Sequence, residues 1–159
     1  MYFVLIIAIV ALDQIIKAIV RTGLSLNESI PVFGDFLSIT LHFNTGAAFS
    51  MMQGYRLLLT VLPSVMVILI IAYIIKNRRN SKRFLLVSLS LIAGGGVGNI
   101  IDRFLAGQVT DYISVGNFPV FNLADMCVVL GCIFVAVFIL FFDGKKRSKL
   151  RDDKTEIRG

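Results

Sequence analysis

Four apolar runs constrain this chain more than any other feature. Each is long enough to cross the hydrocarbon core of a bilayer, which takes about 20 helical residues. They cover residues 2–22, 57–75, 84–103 and 120–142. With no water in the core to satisfy backbone groups, each run must be helical. Strands of a membrane barrel would alternate polar and apolar residues, and these runs do not. The expected fold class is therefore an all-α polytopic membrane protein with four transmembrane helices. Pro63 falls inside the second run, where a membrane helix tolerates it as a kink. The first run has no basic segment before it, carries Asp13, Gln14 and Lys17 within it, and is followed by no small-x-small cleavage site. It reads as a retained span rather than a cleaved signal.

Charge sets the expected topology. The formal net charge is +6, and 12 of the 16 Lys and Arg residues lie in two clusters, five from Lys76 to Arg83 and seven from Lys145 to Arg158. Both clusters abut apolar runs, as cytoplasmic loops do. Nucleic-acid binding would interleave basic and aromatic residues on one face, and only Phe84 borders either cluster. Both termini are thus expected in the cytoplasm, with residues 23–56 and 104–119 on the outer side. Residues 1–143 make one membrane unit, and 144–159 a basic, frayed cytoplasmic tail. Within the first outer segment, Ser38 to Phe43 alternates β-prone residues after an approach punctuated by Gly23, Asn27, Pro31, Gly34 and Asp35. A small extracytoplasmic β element on the membrane surface follows from that pattern.

Ionisable residues inside spans are costly, so each is a functional candidate by default. Away from the cytoplasmic borders these are Asp13, Lys17, Asp102, Arg103, Asp111 and Asp125, with the amides Asn44, Asn99 and Asn122. All fall toward the outer ends of the spans or in the outer segments. Asp13 and Lys17 are spaced i,i+4 for an ion pair. They are either part of a site or a self-neutralising pair with Lys17 snorkelling outward. Asn99, Asp102 and Arg103 make one polar face on the third span, suited to a site or to an interhelical hydrogen-bond network. Gly94, Gly95, Gly96 and Gly98 precede it and let neighbouring backbones come close. No Lys-Ser/Thr follows them as a phosphate loop would require.

Asn122 and Asp125 share a face at the start of the fourth span, and Asp111 lies 14 residues before Asp125 in the returning loop. Two carboxylates held close cannot both ionise and share a proton. One then takes a proton from water while the other donates to a scissile carbonyl, which is aspartic-protease chemistry. Structural or ion-binding roles for these aspartates remain open at this point. His42, the sole histidine, has no zinc-type ligand spacing around it and reads as an outward strand residue. Cys127 and Cys132, five apart in the last run, point in different directions and read as small packing residues. No metal and no cofactor is expected.

These residues together carry a family resemblance. Asp13-Gln14-Ile-Ile-Lys17, Asn44-Thr-Gly46-Ala47-Ala48-Phe49, Gly98-Asn99-Ile-Ile-Asp102-Arg103, Val109-Thr-Asp111 and Phe121-Asn122-Leu-Ala124-Asp125 resemble, in order, the motifs of the lipoprotein signal peptidases (signal peptidase II). The one departure is Ile16, where a Ser or Thr would be expected before the Lys. The resemblance implies a bacterial aspartyl endopeptidase of the inner or plasma membrane, and a monomer is expected. It would act on diacylglyceryl-modified prolipoproteins, cutting just before the lipidated cysteine. It also implies Asp111 and Asp125 as the catalytic pair. Asn44, Gly46, Asn99, Arg103, Asn122 and Ala124 would line the site, with Asp13, Lys17 and Asp102 supporting it. Residues 23–50 would form an outer-surface β-cradle. A substrate carrying lipid must arrive sideways from the bilayer, and Gly46, Ala47 and Ala48 offer small side chains beside which an extended peptide fits. The competing reading is a small transporter or ion-coordinating membrane protein, but that would carry polar groups to the midplane and show two related halves. A non-catalytic assembly factor packing through Gly94 to Gly98 gives no reason for two aspartates flanking one short loop.

Overall fold

A computed structural model describes residues 1–34, 36–46 and 56–143. The expectations for Asp35, Ala47, Ala48, Phe49 and the 144–159 tail lie outside the described residues. Four helices, α1 (Tyr2–Gly23), α2 (Arg56–Asn77), α3 (Arg83–Leu105) and α4 (Leu123–Phe138), are joined with three strands, β1 (Ser29–Phe33), β2 (Leu37–Asn44) and β3 (Val109–Val115). A π-helical turn, Ile139–Asp143, prolongs α4. All four helices have the length and composition to cross a membrane. Their outward faces carry large apolar side chains such as Leu57, Ile68, Val4 and Leu140, the residues a lipid-facing surface requires.

The helix α3 is the hub, packing against α1, α2 and α4. Successive helical residues point about 100° apart, so three consecutive glycines open three sides of one helix. A Cβ at Gly94 would press on Ile9 of α1, one at Gly95 on the Ala124 carbonyl of α4, and one at Gly96 on Val67 of α2. The glycine run thus brings all three partners close, as expected of a packing element. At the end away from the strands, Ile6, Ile74, Leu86 and Ala93 form an apolar core. Ser88 and Ser90, also buried in α3, satisfy their hydroxyls on their own helix at Phe84 O and Leu86 O.

The strands form one antiparallel sheet in the order β1-β2-β3. The β element is therefore larger than Ser38–Phe43 implied. Its third strand comes from the segment between α3 and α4, and Asp111 stands on that strand rather than in a loop. Apolar residues joining helices to sheet cause this. Val20, Leu41 and Tyr112 make a second core, flanked by Ile16, Leu24, Ile39, Phe43, Ile113 and Leu123. Ile16, the departure from the family motif, thus packs under the sheet. Between Ile39 and His42 the β2 pairing with β3 is irregular, a bulge that re-aims side chains beside Asp111. His42 pairs with Asp111 across the strands and is half-buried, so it does not simply face outward. The fourth helix begins at Leu123, not 120, because Phe121 is bridged to Ile113 of β3 and Asn122 caps the helix. Cys127 is buried and Cys132 exposed, both free.

Candidate active site

The candidate site residues that the structure describes gather between the sheet, the sheet-side halves of α1 and α3, and the start of α4. Asp111 on β3 and Asp125 in the first turn of α4 are linked through Asn122. The Asn122 Nδ2 donates to Asp111 Oδ1 at 2.7 Å, and its Oδ1 accepts the Asp125 N–H at 2.9 Å. Asp125 Oδ2 in turn accepts the Asn122 N–H at 3.2 Å, closing a capping box that fixes both residues. Asn44, at the end of β2, donates from Nδ2 to Asp111 Oδ2 at 3.0 Å while its Oδ1 accepts the Gly46 N–H at 2.9 Å.

Asn99 approaches Asp125 from α3, donating from Nδ2 to Oδ1 at 2.7 Å. Its orientation is dictated from behind. Lys17 Nζ lies 2.9 Å from Asn99 Oδ1, and an ammonium only donates. The amide oxygen must face Lys17, which turns the NH2 toward Asp125. Lys17 is fully buried, with further partners at Asp13 Oδ2 (2.9 Å) and Asp102 Oδ2 (3.1 Å). Three acceptors saturate its three N–H bonds. The reading in which Lys17 snorkels outward is overturned, and the Asp13/Lys17 pair is one edge of a larger network.

Gln14, Thr110, Arg21 and Tyr112 complete the surroundings without having stood out as site residues. Gln14 Nε2 reaches Asp13 Oδ2, the Gly98 carbonyl and Asp102 Oδ1 at 3.1–3.3 Å. Arg21 Nη2 is 3.7 Å from Asp102 Oδ1. The Tyr112 hydroxyl accepts the Leu123 N–H at 3.2 Å, and burial pushes that phenol up to about 12, so it stays neutral. A glutamine inside an apolar run was the one available signal for Gln14. Thr110 acts through its backbone, which no side-chain pattern reveals. Among the described residues, no buried side-chain nitrogen or oxygen lacks a partner. Ala124 is fully buried against α3, and Arg103 is half-buried within electrostatic reach of Asp125, Asp111 and Asp102.

Burial, and next the charge of Asp125, push the Asp111 carboxyl from its ordinary value of 3.8 up to about 7. The cluster holds four carboxylates (Asp13, Asp102, Asp111, Asp125) and three cations (Lys17, Arg21, Arg103). One proton held by the Asp111/Asp125 pair leaves the cluster as a whole neutral, which a poorly hydrated site favours. Two carboxyl groups bridged by Asn122 and sharing one proton can serve as an acid and a base.

Known proteins resemble this chain in sequence and in fold. Residues 5–141 match the family model for signal peptidase (SPase) II. The lipoprotein signal peptidase of Brevibacillus brevis is 38% identical over 147 residues, covering 91% of this chain and 97% of that protein. That of Geobacillus thermodenitrificans is 40% identical over 145 residues, covering 89% and 90%. A bacterial membrane enzyme solved in meso superposes with a TM-score of 0.81 at 30% identity, covering 87% of each chain. With four spans, a three-stranded sheet and a match running almost end to end, this multi-pass membrane chain belongs to the signal peptidase II family.

Proposed function

We propose that this chain is an aspartyl endopeptidase that removes the signal peptide from diacylglyceryl-modified prolipoproteins, cutting just before the lipidated cysteine, with Asp111 and Asp125 as its catalytic pair. The observation that carries the reading is the convergence of these two carboxylates on Asn122, from a strand and a helix start, with one of them raised to about 7.

The chemistry follows from one shared proton. The ionised carboxylate takes a proton from water, and the hydroxide oxygen bonds to the scissile carbonyl carbon. The protonated partner gives its proton to the carbonyl oxygen. Collapse of the tetrahedral species breaks the C–N bond, with a proton passing to the leaving amine and the pair returning to one proton. Asn44, Asn99 and Asn122 hold the carboxylate oxygens in place through the step. Arg103, whose charge lies near both aspartates, contacts the substrate backbone.

The two basic segments support a cytoplasmic location for both termini and an extracytoplasmic location for the sheet end. The exposed apolar residues Ile30, Val32, Phe33 and Phe36 around the β1–β2 hairpin suit contact with lipid there. The protein acts as a monomer whose substrate enters sideways from the bilayer. The transporter reading is not favoured, since the buried charges occupy only the half of the bundle from mid-α1 (Asp13) toward the sheet, and the core at the other end is apolar.

The test is cleavage by purified protein in detergent of a synthetic prolipoprotein peptide, with and without the diacylglyceryl group, read by mass spectrometry. A single cut on the amino side of the lipidated cysteine, with the unmodified peptide left intact, is expected. Cutting elsewhere, or equal cutting of both peptides, contradicts the proposal.

A further inference from the structure

The buried charges behind the aspartate pair show a regularity that the proposed chemistry does not use. Asp102 Oδ2 accepts the backbone N–H of Thr110 at 3.0 Å. Asp13 Oδ1 accepts the backbone N–H of Ala124 at 3.1 Å. Thr110 is the residue immediately before Asp111, and Ala124 the residue immediately before Asp125. Each member of the pair therefore has its preceding residue held by a buried carboxylate from a different helix. Those two carboxylates are joined by one ammonium, Lys17, at 2.9 Å and 3.1 Å.

We infer that Asp13, Lys17 and Asp102 are positioning residues that set the separation of Asp111 and Asp125, with Lys17 as the tie between two backbone anchors. The inference rests on the proposed aspartyl peptidase reading for its consequences in catalysis, but not for its geometry. Three features beyond the bonds themselves support it. The network joins elements far apart in sequence: Asp13 reaches Ala124 across 111 residues, and Lys17 reaches Asn99 across 82. A stabilising ion pair alone would need no anchor on the residue before each aspartate. The arrangement also depends on a missing side chain, because a Cβ at Gly98 would stand 2.5 Å from Asp13 Oδ2. Gln14 spans the two anchors, donating to a carboxylate oxygen of both Asp13 and Asp102. A charged tie suits this role, since charge-assisted hydrogen bonds are short and directional and desolvation makes breaking either half costly.

The tie also orients Asn99, and through it Asp125. Lys17 thus reaches the pair by three routes, two through backbone and one through an amide. A change of roughly 1 Å between reacting groups costs about a hundredfold in rate, so the tie acts on turnover rather than on substrate affinity.

Two measurements on the full chain in detergent micelles test this. The first is amide hydrogen exchange, which needs no activity. Thr110 and Ala124 are expected to exchange slowly in the wild type. Asp102→Ala should speed Thr110 alone, Asp13→Ala should speed Ala124 alone, and Lys17→Met should speed both. The second is steady-state cleavage, normalised to folded protein. The two Ala variants should lose about a hundredfold in kcat with KM essentially unchanged. Asp102→Asn, whose single amide oxygen can still accept both the Thr110 N–H and Lys17, should recover much of it, whereas Asp13→Asn, whose oxygen can serve Ala124 or Lys17 but not both, should not. If Lys17→Met does not fold, Lys17→Arg, which keeps the charge but not the length, takes its place and should speed both amides. Exchange at the two amides that responds to neither anchor overturns the inference, as does a loss that appears in KM. If the wild type fails to cleave while the exchange pattern holds, the peptidase reading fails and the tie stands.

Discussion

Gly98→Ala asks how closely the buried network is fitted. Asp13 approaches α3 through the space that Gly98 leaves, and an added Cβ would lie 2.5 Å from Asp13 Oδ2, 3.1 Å from its Cγ and 3.4 Å from Ala124 Cβ. Ordinary contact needs about 3.5 Å, so the carboxylate must retreat by roughly 1 Å. On the helix alone the change is favourable by about 1 kcal/mol. Against it stand overpacking, about 1–3 kcal/mol, and weakened charge-assisted bonds from Asp13 to Ala124 and Lys17, about 1.5–3 kcal/mol. Packing and charge outweigh propensity, leaving a loss of roughly 1.5–5 kcal/mol. Thermal unfolding in detergent should therefore move down by at least about 3 °C. Cleavage should fall by up to about a hundredfold, because Ala124 leads directly into Asp125. Gly23→Ala is the control, since nothing lies within 4 Å of its added Cβ, and it should leave both readouts unchanged. A Gly98→Ala protein that melts at or above the wild type and cleaves at the same rate would refute the reasoning. Helix propensity would then outweigh the contact with Asp13.

Three other perturbations have definite expected outcomes. The rate constant kcat/KM should fall as pH rises through about 7, where the Asp111/Asp125 pair loses its last proton; a profile that stays flat up to about pH 9 would contradict the shared-proton reading. Because the folded Asp111 carboxyl titrates at about 7 rather than 3.8, the native state binds more protons between those values. Its contribution to stability is present below the lower value and lost as pH rises to the upper, so melting should drop across that window and the drop should shrink in Asp111→Asn. Asn122→Ala removes a helix cap and a donor to Asp111, costing about 0.5–2 kcal/mol in capping alone and most of the activity. Asn122→Asp keeps the capping oxygen but turns a buried carboxylate oxygen toward the Asp111, Asn99 and Thr110 oxygens that the amide NH2 serves, so it should recover neither the activity nor the melting temperature. Tyr112→Phe orphans the Leu123 N–H and should lower stability by about 1 kcal/mol with a smaller effect on turnover.

The four spans were legible because the bilayer permits little else for runs of that length. The members of the candidate site were legible too, because charged residues in apolar spans stand out against their surroundings. The third strand was not. Val109–Val115 carries Asp111 in the middle of an alternating pattern, but the segment is short, and its pairing partner lies about 70 residues away. Local pattern cannot specify such a long-range pairing. The start of α4 was misplaced for a similar reason: Phe121 has an apolar side chain but spends its backbone on Ile113. Lys17 illustrates the limit for side chains. Its i,i+4 spacing from Asp13 was readable, whereas its burial depends on Asp102 and Asn99 arriving from α3 through an opening made by glycine. The anchors on Thr110 and Ala124 use backbone N–H groups that every residue but proline possesses, and so leave no compositional trace.

The central claim is that Asp111 and Asp125 perform the hydrolysis together. The most direct measurement is single-turnover cleavage of the diacylglyceryl-modified peptide by the wild type, Asp111→Asn and Asp125→Asn, each shown to be folded by its melting transition. Each substitution removes the acid–base couple, and a single-turnover rate at least about a thousandfold lower is expected for both. Either variant, folded and cleaving at a rate near that of the wild type, would contradict the account and move the chemistry away from this pair.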